Sequence, residues 1–233
     1  MLYLTSYDEP VTLPNLDKPI FFCDVDGVLN ALPFERTWIG TEKIHGVYDP
    51  ALWDSKNWRV DRVEPDIKKS FALNQEPVVL LNKNHHYDAS EPVFHELQLR
   101  YSSTLIKRIR RLITEDKIAF VWLTSWKTEA VRLLNTEFGL PETTPFLDWA
   151  TWSDLGQARK GWALLEFLES LDQKVPWVWV DDVATENYVA RRYHDDRLDA
   201  NFGPRLIIQT DPMWGINRTE MSRIEKFVRK HSR

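Results

Sequence analysis

The chain has 233 residues, enough for one large domain or for a core domain that carries an insertion, and too few for three domains. Its 43% hydrophobic and 28% charged residues are typical of a globular protein and exclude a disordered, collagen-like or membrane-embedded chain. A net charge of -5 argues against a protein that coats nucleic acid by charge alone, although a local basic surface is compatible with it.

Cysteine usage and the first residues bear on location. The single cysteine, Cys23, excludes an internal disulfide and suits a reducing compartment. The N-terminal residues lack the basic and apolar regions of a signal peptide, and no later run of about 18 apolar residues follows. We therefore expect a soluble cytoplasmic protein that has no membrane partner.

Short apolar runs alternate with amphipathic segments along most of the chain. The runs are nearly continuous, as in strands that are buried on both faces, and they cover residues 19–26, 118–125, 145–149, 175–182 and 205–210. Helical patterns cover residues 103–114, 127–138, 160–171, 186–193 and 218–230. This alternation predicts an α/β fold, a Rossmann-like parallel sheet with helices on both faces.

Residues 31–99 break this alternation with scattered tryptophans and prolines and one strand-like run at residues 77–81. The segment follows the first strand, at the edge where open α/β sheets bind ligands, so we expect a cap-like insertion there, either a closed cap or an open flap. The predicted division is an N-terminal arm, a core domain in two pieces and an insertion: residues 1–18, 19–30 with 100–233, and 31–99.

The strongest motif is DVDGVLN at residues 24–30, directly after the first apolar run. Extended residues two positions apart point to the same side, so Asp24 and Asp26 would both face one site, and Gly27 permits a sharp turn. The structural alternative is a pair of strand-end acids that cap a helix or face solvent.

Later strand ends supply further groups. Thr124 and Ser125 offer hydroxyls and backbone amides at a helix N-terminus, which is an anion site or an ordinary N-cap. Lys160, predicted to open the third helix, is a cation for phosphate or a surface lysine. Asp181 and Asp182 add two more acids.

Four carboxylates at one edge would repel each other by about 4 kcal/mol for each close pair at an effective dielectric constant near 20. A divalent cation relieves this repulsion, and oxygen ligands with an open position for phosphate suit Mg²⁺. The sequence therefore predicts a Mg²⁺ site built from Asp24, Asp26, Asp181 and Asp182.

The ordered set DVDGVLN, WLTSW, Lys160 and WVDD resembles the haloacid dehalogenase (HAD) superfamily. Within it, the chain is most similar to the phosphatase-like domain associated with RNA-repair proteins, through these motifs and Leu140-Pro141. The resemblance implies that Asp24 attacks phosphorus and that Asp26 is the general acid and base. It also implies Mg²⁺ ligation by Asp24, the Asp26 carbonyl and either Asp181 or Asp182, with Thr124 and Lys160 on the phosphate oxygens.

The resulting prediction is a Mg²⁺-dependent phosphohydrolase acting on nucleotides or on terminal phosphates of nucleic acid. A non-catalytic binding protein with the same fold and a phosphatase of small metabolites are the alternatives. Trp126 is a candidate substrate contact, because it and the insertion tryptophans Trp38, Trp53 and Trp58 would either stack on bases or pack the insertion. The basic residues of segment 103–114 are either a solvated helix side or a contact for a polyanion.

Overall fold

The computed structural model describes residues 4–6, 9–11, 17–31, 70–82, 93–148, 156–182 and 201–232. Its strands are β1 (Leu4–Ser6), β2 (Glu9–Val11), β3 (Ile20–Cys23), β4 (Asn74–Asn82), β5 (Val93–Tyr101), β6 (Ala119–Trp122), β7 (Phe146–Leu147), β8 (Trp177–Asp181) and β9 (Arg205–Gln209). Its helices include α1 (Ser103–Thr114), a π-helical segment (Ala130–Leu134), α2 (Asn135–Glu137), α3 (Gly156–Glu169) and α4 (Arg218–His231).

Seven strands form the central sheet in the order β2-β1-β7-β6-β3-β8-β9. The five strands from β7 to β9 are parallel to one another, and all five correspond to predicted apolar runs. The predicted α/β, Rossmann-like fold is confirmed. The sequence does not predict β1 and β2, which come from the expected N-terminal arm and add an antiparallel edge beside β7.

Helices cover both faces of the sheet because side chains alternate along each buried strand. Phe21 and Cys23 of β3 face the cluster that includes the apolar sides of α1 and α4. Ile20 and Phe22 face the opposite cluster, which includes Leu164, Leu165 and other residues of α3. The central strand is therefore fully enclosed, and the chain following it lies at the edge of the sheet.

Two predicted helices differ from the observed ones. Helix α3 begins at Gly156, so the expectation that Lys160 opens this helix is wrong, and Lys160 lies one turn inside. The residues between, Gln157 to Arg159, are compatible with a helical backbone, which extends the helix toward its N-terminus. The helix predicted over 127–138 contains a π-helical turn, after which buried Asn135 accepts a hydrogen bond from the Trp122 indole at 2.9 Å.

The described part of the insertion contains β4 and β5, which pair with each other in a separate antiparallel sheet. Strand β5 runs across the boundary predicted between residues 99 and 100. The Ala31 amide donates to the Arg100 carbonyl at 2.7 Å, so the two ends of the insertion meet there. Trp38, Trp53 and Trp58, and the helix predicted at residues 186–193, lie outside the described residues.

Candidate active site at the carboxyl edge of the sheet

Strand register brings the predicted site residues to one edge. Cys23 at the end of β3 aligns with Trp122 of β6 and with Val180 of β8, and all three strands run in the same direction. The Asp24 amide continues this pairing by donating to the Val180 carbonyl at 3.1 Å. The residues that follow the three aligned positions, Asp24, Leu123 and Asp181, are therefore neighbours, and Thr124 comes directly after Leu123.

A buried ion-pair cluster forms the centre of the site. The Lys160 ammonium lies 2.7 Å from Asp24 Oδ2 and 2.8 Å from Asp181 Oδ2, and all three side chains are at least nine-tenths buried. The other Asp24 oxygen accepts a hydrogen bond from the Val25 amide at 2.7 Å. Burial disfavours the charged ammonium, but the two carboxylates outweigh it and raise the pKa of Lys160 above its usual value.

Three carboxylates surround a position that suits a cation. Ligand oxygens of Asp24, Asp181 and Asp182 lie within 4.8 Å of one another. Burial, followed by the nearby charges of Asp181 and Asp24, raises the pKa of Asp182 to about 8. Lys160 supplies one positive charge against three carboxylates, so the cluster fits a hard divalent cation such as Mg²⁺. The Asp26 carboxylate is not one of these three groups.

The second carboxylate of the motif is held by two neutral donors. The Trp126 indole donates to Asp26 Oδ2 at 2.7 Å, and the Asn30 amide donates to Asp26 Oδ1 at 2.7 Å. Burial raises the pKa of Asp26, and these two hydrogen bonds oppose that shift only in part. Asp26 is therefore fixed in position by groups that carry no charge.

Asn30 connects Asp26 to the insertion, a role that the sequence analysis missed. Its side-chain oxygen accepts from the Arg100 amide of β5 at 2.9 Å, and its carbonyl accepts from the Gly27 amide at 2.8 Å. Asn30 is part of the DVDGVLN motif, and this position in the motif is the only sequence signal for it.

The hydroxyl residues after β6 have unequal surroundings. Thr124 is buried, and its hydroxyl accepts a hydrogen bond from the Trp126 amide at 3.3 Å. Ser125 is exposed. Lys127 closes this turn with a φ of 48°. The Thr124 hydroxyl thus lies at the start of the turn after β6, and its role as a phosphate ligand stays a prediction, as does that of Ser125.

Comparison with known families identifies the chain. A family model described as the HAD domain in Swiss Army Knife RNA repair proteins matches residues 20–221. The chain belongs to this family. Membership confirms the resemblance to the HAD superfamily and indicates a HAD-type hydrolase. No curated protein and no solved structure matches the chain significantly.

In this HAD domain, the loop that carries Asp24 and Asp26 is held in place by the residues after β9, which the sequence analysis did not single out. The Thr210 hydroxyl donates to the Gly27 carbonyl at 2.7 Å. Gly27 has a φ of 70°, and a Cβ there would lie 2.4 Å from Asp182 Oδ2. Only glycine both adopts a positive φ without strain and lacks the Cβ that would collide with Asp182. Glycine at this position therefore lets the loop pack against the acid after β8.

Within the described residues of the HAD domain, no helix combines the length and the apolar character needed to cross a bilayer.

Proposed function

We propose that this protein is a Mg²⁺-dependent phosphohydrolase that forms an aspartyl-phosphate intermediate on Asp24. The observation that carries this proposal is the buried Asp24 carboxylate, in contact with the Lys160 ammonium and next to Asp181 and Asp182. A second carboxylate, Asp26, is fixed two residues away. Phosphoryl transfer to a carboxylate requires both a nucleophile beside positive charge and a separate proton donor.

In the first half of the reaction, an Asp24 oxygen forms a bond to phosphorus while the bond from phosphorus to the leaving oxygen breaks. Protonated Asp26 gives its proton to that oxygen, which departs as an alcohol. The hydrogen bonds from Trp126 and Asn30 hold the Asp26 carboxyl group in a fixed direction during the transfer.

In the second half, Asp26 takes a proton from a water molecule, whose oxygen forms a bond to phosphorus. The bond between phosphorus and Asp24 breaks, inorganic phosphate leaves, and the Asp24 carboxylate and protonated Asp26 are restored. The same residue therefore serves as acid and then as base.

The remaining residues would bind the phosphoryl group. Lys160 and the hydroxyls of Thr124 and Ser125 would hold its oxygens. Asp24 and Asp181 or Asp182, together with the Asp26 carbonyl, would hold Mg²⁺. When bound, this ion would neutralise charge on the phosphoryl oxygens.

We propose nucleotides or terminal phosphates of nucleic acid as substrates, supported by a family description that refers to RNA repair proteins. In this proposal residues 31–99 are a cap or flap and Trp126 contacts the substrate. The hydrogen bonds between Arg100 and both Asn30 and Ala31, at the base of the insertion, support a cap next to the site. A cytoplasmic location is part of the proposal, since the free thiol of Cys23 suits a reducing compartment.

The test is a panel of small phosphomonoesters, nucleotides and oligonucleotides phosphorylated at the 5' or 3' end, assayed with and without Mg²⁺. Asp24→Asn, purified in parallel, controls for contaminating phosphatases. We expect Mg²⁺-dependent phosphate release that is fastest from nucleotides or oligonucleotide ends. Turnover of small metabolites alone would overturn the substrate class, and no turnover of any compound would favour a binding protein.

A further inference from the structure

Positive charge is concentrated on two helices of this acidic chain. Helices α1 and α4 together contain nine Lys and Arg residues and two Glu residues in 26 residues, a net charge of +7. The whole chain has a net charge of -5, so the other 207 residues carry -12. Such segregation creates a local positive potential on a protein of the opposite overall sign.

The two helices lie side by side and run in the same direction. The guanidinium groups of Arg108, in the middle of α1, and Arg218, at the start of α4, lie 5.8 and 5.5 Å from the ring centre of Phe71. Beyond their C-terminal ends, the Ser232 hydroxyl donates to the Lys117 carbonyl at 3.0 Å. Both helices bury their apolar sides in the same core cluster, so their polar sides face away from the same side of the sheet.

We call six exposed basic side chains of these helices the basic face: Lys107, Arg110, Arg223, Lys226, Arg229 and Lys230. Arg111 and Arg218 are also exposed, but Arg111 contacts Glu115 and Glu225, and Arg218 donates to the Ser70 carbonyl. Glu225 pairs with Arg108, and the nearby charges of Arg108, Arg111 and Arg229 all favour its ionised form. Among the residues that the structure describes, Lys107, Arg110, Lys226 and Lys230 form no ion pair. Glu225, Glu220 in the first turn of α4 and Glu115, which lies 3.8 Å from Arg111, are thus outnumbered by the cations of the two helices.

This arrangement is unfavourable for the helices themselves. Like charges three or four positions apart destabilise a helix by about 0.2–0.5 kcal/mol for each pair. Six such pairs occur here: Lys107 with Arg110 and Arg111, Arg108 with Arg111, and Lys226 with Arg223, Arg229 and Lys230. Three pairs of opposite charge at the same spacings, Arg111 with Glu115, Glu220 with Arg223 and Glu225 with Arg229, offset about half of this repulsion. The like charge that remains in excess favours an anionic partner.

The two helices that carry the basic face begin near the loop that carries Asp24 and Asp26. Helix α1 follows β5, whose Arg100 amide is bonded to Asn30, and α4 begins just after Ile216, whose amide donates to the Val28 carbonyl at 3.0 Å. Both helices therefore extend away from this loop. At 1.5 Å per residue, their lengths are about 18–21 Å, the length of five to six nucleotides of one strand in a duplex.

We infer that the basic face binds the phosphate backbone of a nucleic-acid strand whose end reaches the active site. Lysine and arginine contacts to phosphates depend on charge and carry no base sequence, so this binding is expected to be independent of sequence and sensitive to salt. The delivery of a strand end rests on the proposed function, whereas binding of the strand does not require turnover.

The test measures the affinity of the full chain for a short fluorescent RNA with hydroxyl groups at both ends, by anisotropy from about 50 to 200 mM KCl. K107Q/R110Q/K226Q/K230Q is compared with the charge-conserving variant K107R/R110K/K226R/K230R and with K174Q, which changes an exposed lysine outside the basic face. We expect the glutamine variant to lose at least about tenfold in affinity and its log–log salt slope to fall by about 3, while both controls bind like the wild type.

Two results would overturn the inference: equal binding by the glutamine variant, or an equal loss in the charge-conserving variant. Binding to phosphatidylserine vesicles or polyglutamate in place of RNA would also overturn it, since the partner would then be a membrane or an acidic protein. Charge-dependent RNA binding without any phosphate release in the substrate panel would support the inference and contradict the proposed function, so the two failures are distinguishable.

Discussion

Asp24 and Asp26 lie on the same loop, two residues apart, yet their surroundings are opposite in kind. Asp24 contacts a buried ammonium group and lies among further carboxylates. Asp26 accepts hydrogen bonds from an indole and an amide, both uncharged. The same side chain is therefore placed in an ionic environment at one position and in a neutral, partly buried environment at the other.

This difference supports the two roles proposed for the aspartates. A cation complements a carboxylate whose negative charge has to persist until it attacks phosphorus. Neutral donors and burial suit a carboxyl group that gains and loses a proton, because they fix its direction without holding it in the charged form. In the proposed mechanism, the neighbours of the two aspartates, more than the residue type, separate the nucleophile from the acid.

The largest expected effect comes from removing the charge at the ionic position. Asp24→Asn should lower kcat by about 10⁴-fold or more, because an amide neither attacks phosphorus nor completes the pair with Lys160. Phosphate release measures activity, and a melting curve measures folding. Activity near that of the wild type in a folded Asp24→Asn protein would contradict the covalent mechanism.

The loss of activity on changing Asp26, the neutral position, should depend on the leaving group of the substrate. Asp26→Asn should lower kcat by about 10²- to 10⁴-fold for alkyl phosphates, whose leaving oxygen needs a proton, and far less for nitrophenyl phosphate. Rates for the two substrate classes, measured side by side, check this. Equal losses for both classes would show that Asp26 has no acid role.

Asp182, a residue of the ionic cluster, should affect the melting temperature in opposite directions with and without Mg²⁺. At about 100 times its dissociation constant, Mg²⁺ should stabilise the wild type by about 2.7 kcal/mol, which raises the melting temperature by about 5–10 °C. Asp182→Asn should reduce this shift but raise the melting temperature in chelator, because it removes a carboxyl group whose charged form is disfavoured by burial and by the nearby carboxylates.

The pH dependence of stability in the metal-free protein follows from the same Asp182 carboxyl group. The pKa of Asp182 is about 8 in the folded protein, against about 3.9 for an ordinary aspartate. As the pH rises, the unfolded chain therefore loses the Asp182 proton at a lower pH than the folded protein does. Because ionisation then favours the unfolded state, the metal-free wild type loses stability between about pH 4 and about pH 8. The advantage of Asp182→Asn in chelator should grow over this interval. The exposed residue Asp172 provides the control, since Asp172→Asn should show neither effect.

The smallest expected effect concerns the indole donor of the neutral position. Trp126→Phe keeps an aromatic ring but removes the N–H group, and should lower kcat by about tenfold for alkyl phosphates while Asn30 still holds Asp26. Trp126→Leu removes the ring as well. If Trp126 stacks on a base, only the leucine variant should raise KM for an oligonucleotide end, by roughly 5- to 150-fold. A phenylalanine variant with unchanged kcat on every substrate would show that the indole bond does not position Asp26.

The ionic position was predictable from the sequence to a large degree. Apolar runs identified the parallel strands, and acids or hydroxyls at strand ends identified Asp24, Thr124, Asp181 and Asp182, because parallel strands end at a common edge. The sequence also selected Lys160, which contacts Asp24 and Asp181, but it did not predict the position of Lys160 inside α3, and its phosphate-binding role stays a prediction.

The neutral position was less predictable, because its contacts depend on turn geometry. Trp126 was selected as a ring that might stack, but the direction of its indole depends on the turn from Thr124 to Lys127, where the backbone adopts a left-handed conformation. Asn30 is bonded to Arg100, a residue 70 positions away, and no local pattern encodes such a pair. Strands β1 and β2 have three residues each, too short for a periodic signal.

Gly27 has a consequence for recognising distant relatives. Any side chain at this position would collide with Asp182, so residue 27 cannot change while the acid after β8 stays where it is. The two positions are expected to vary together, although 155 residues separate them. A chain with this fold and a larger residue in place of Gly27 should therefore be examined for a displaced second acid and for weakened metal binding, even if its first aspartate is intact.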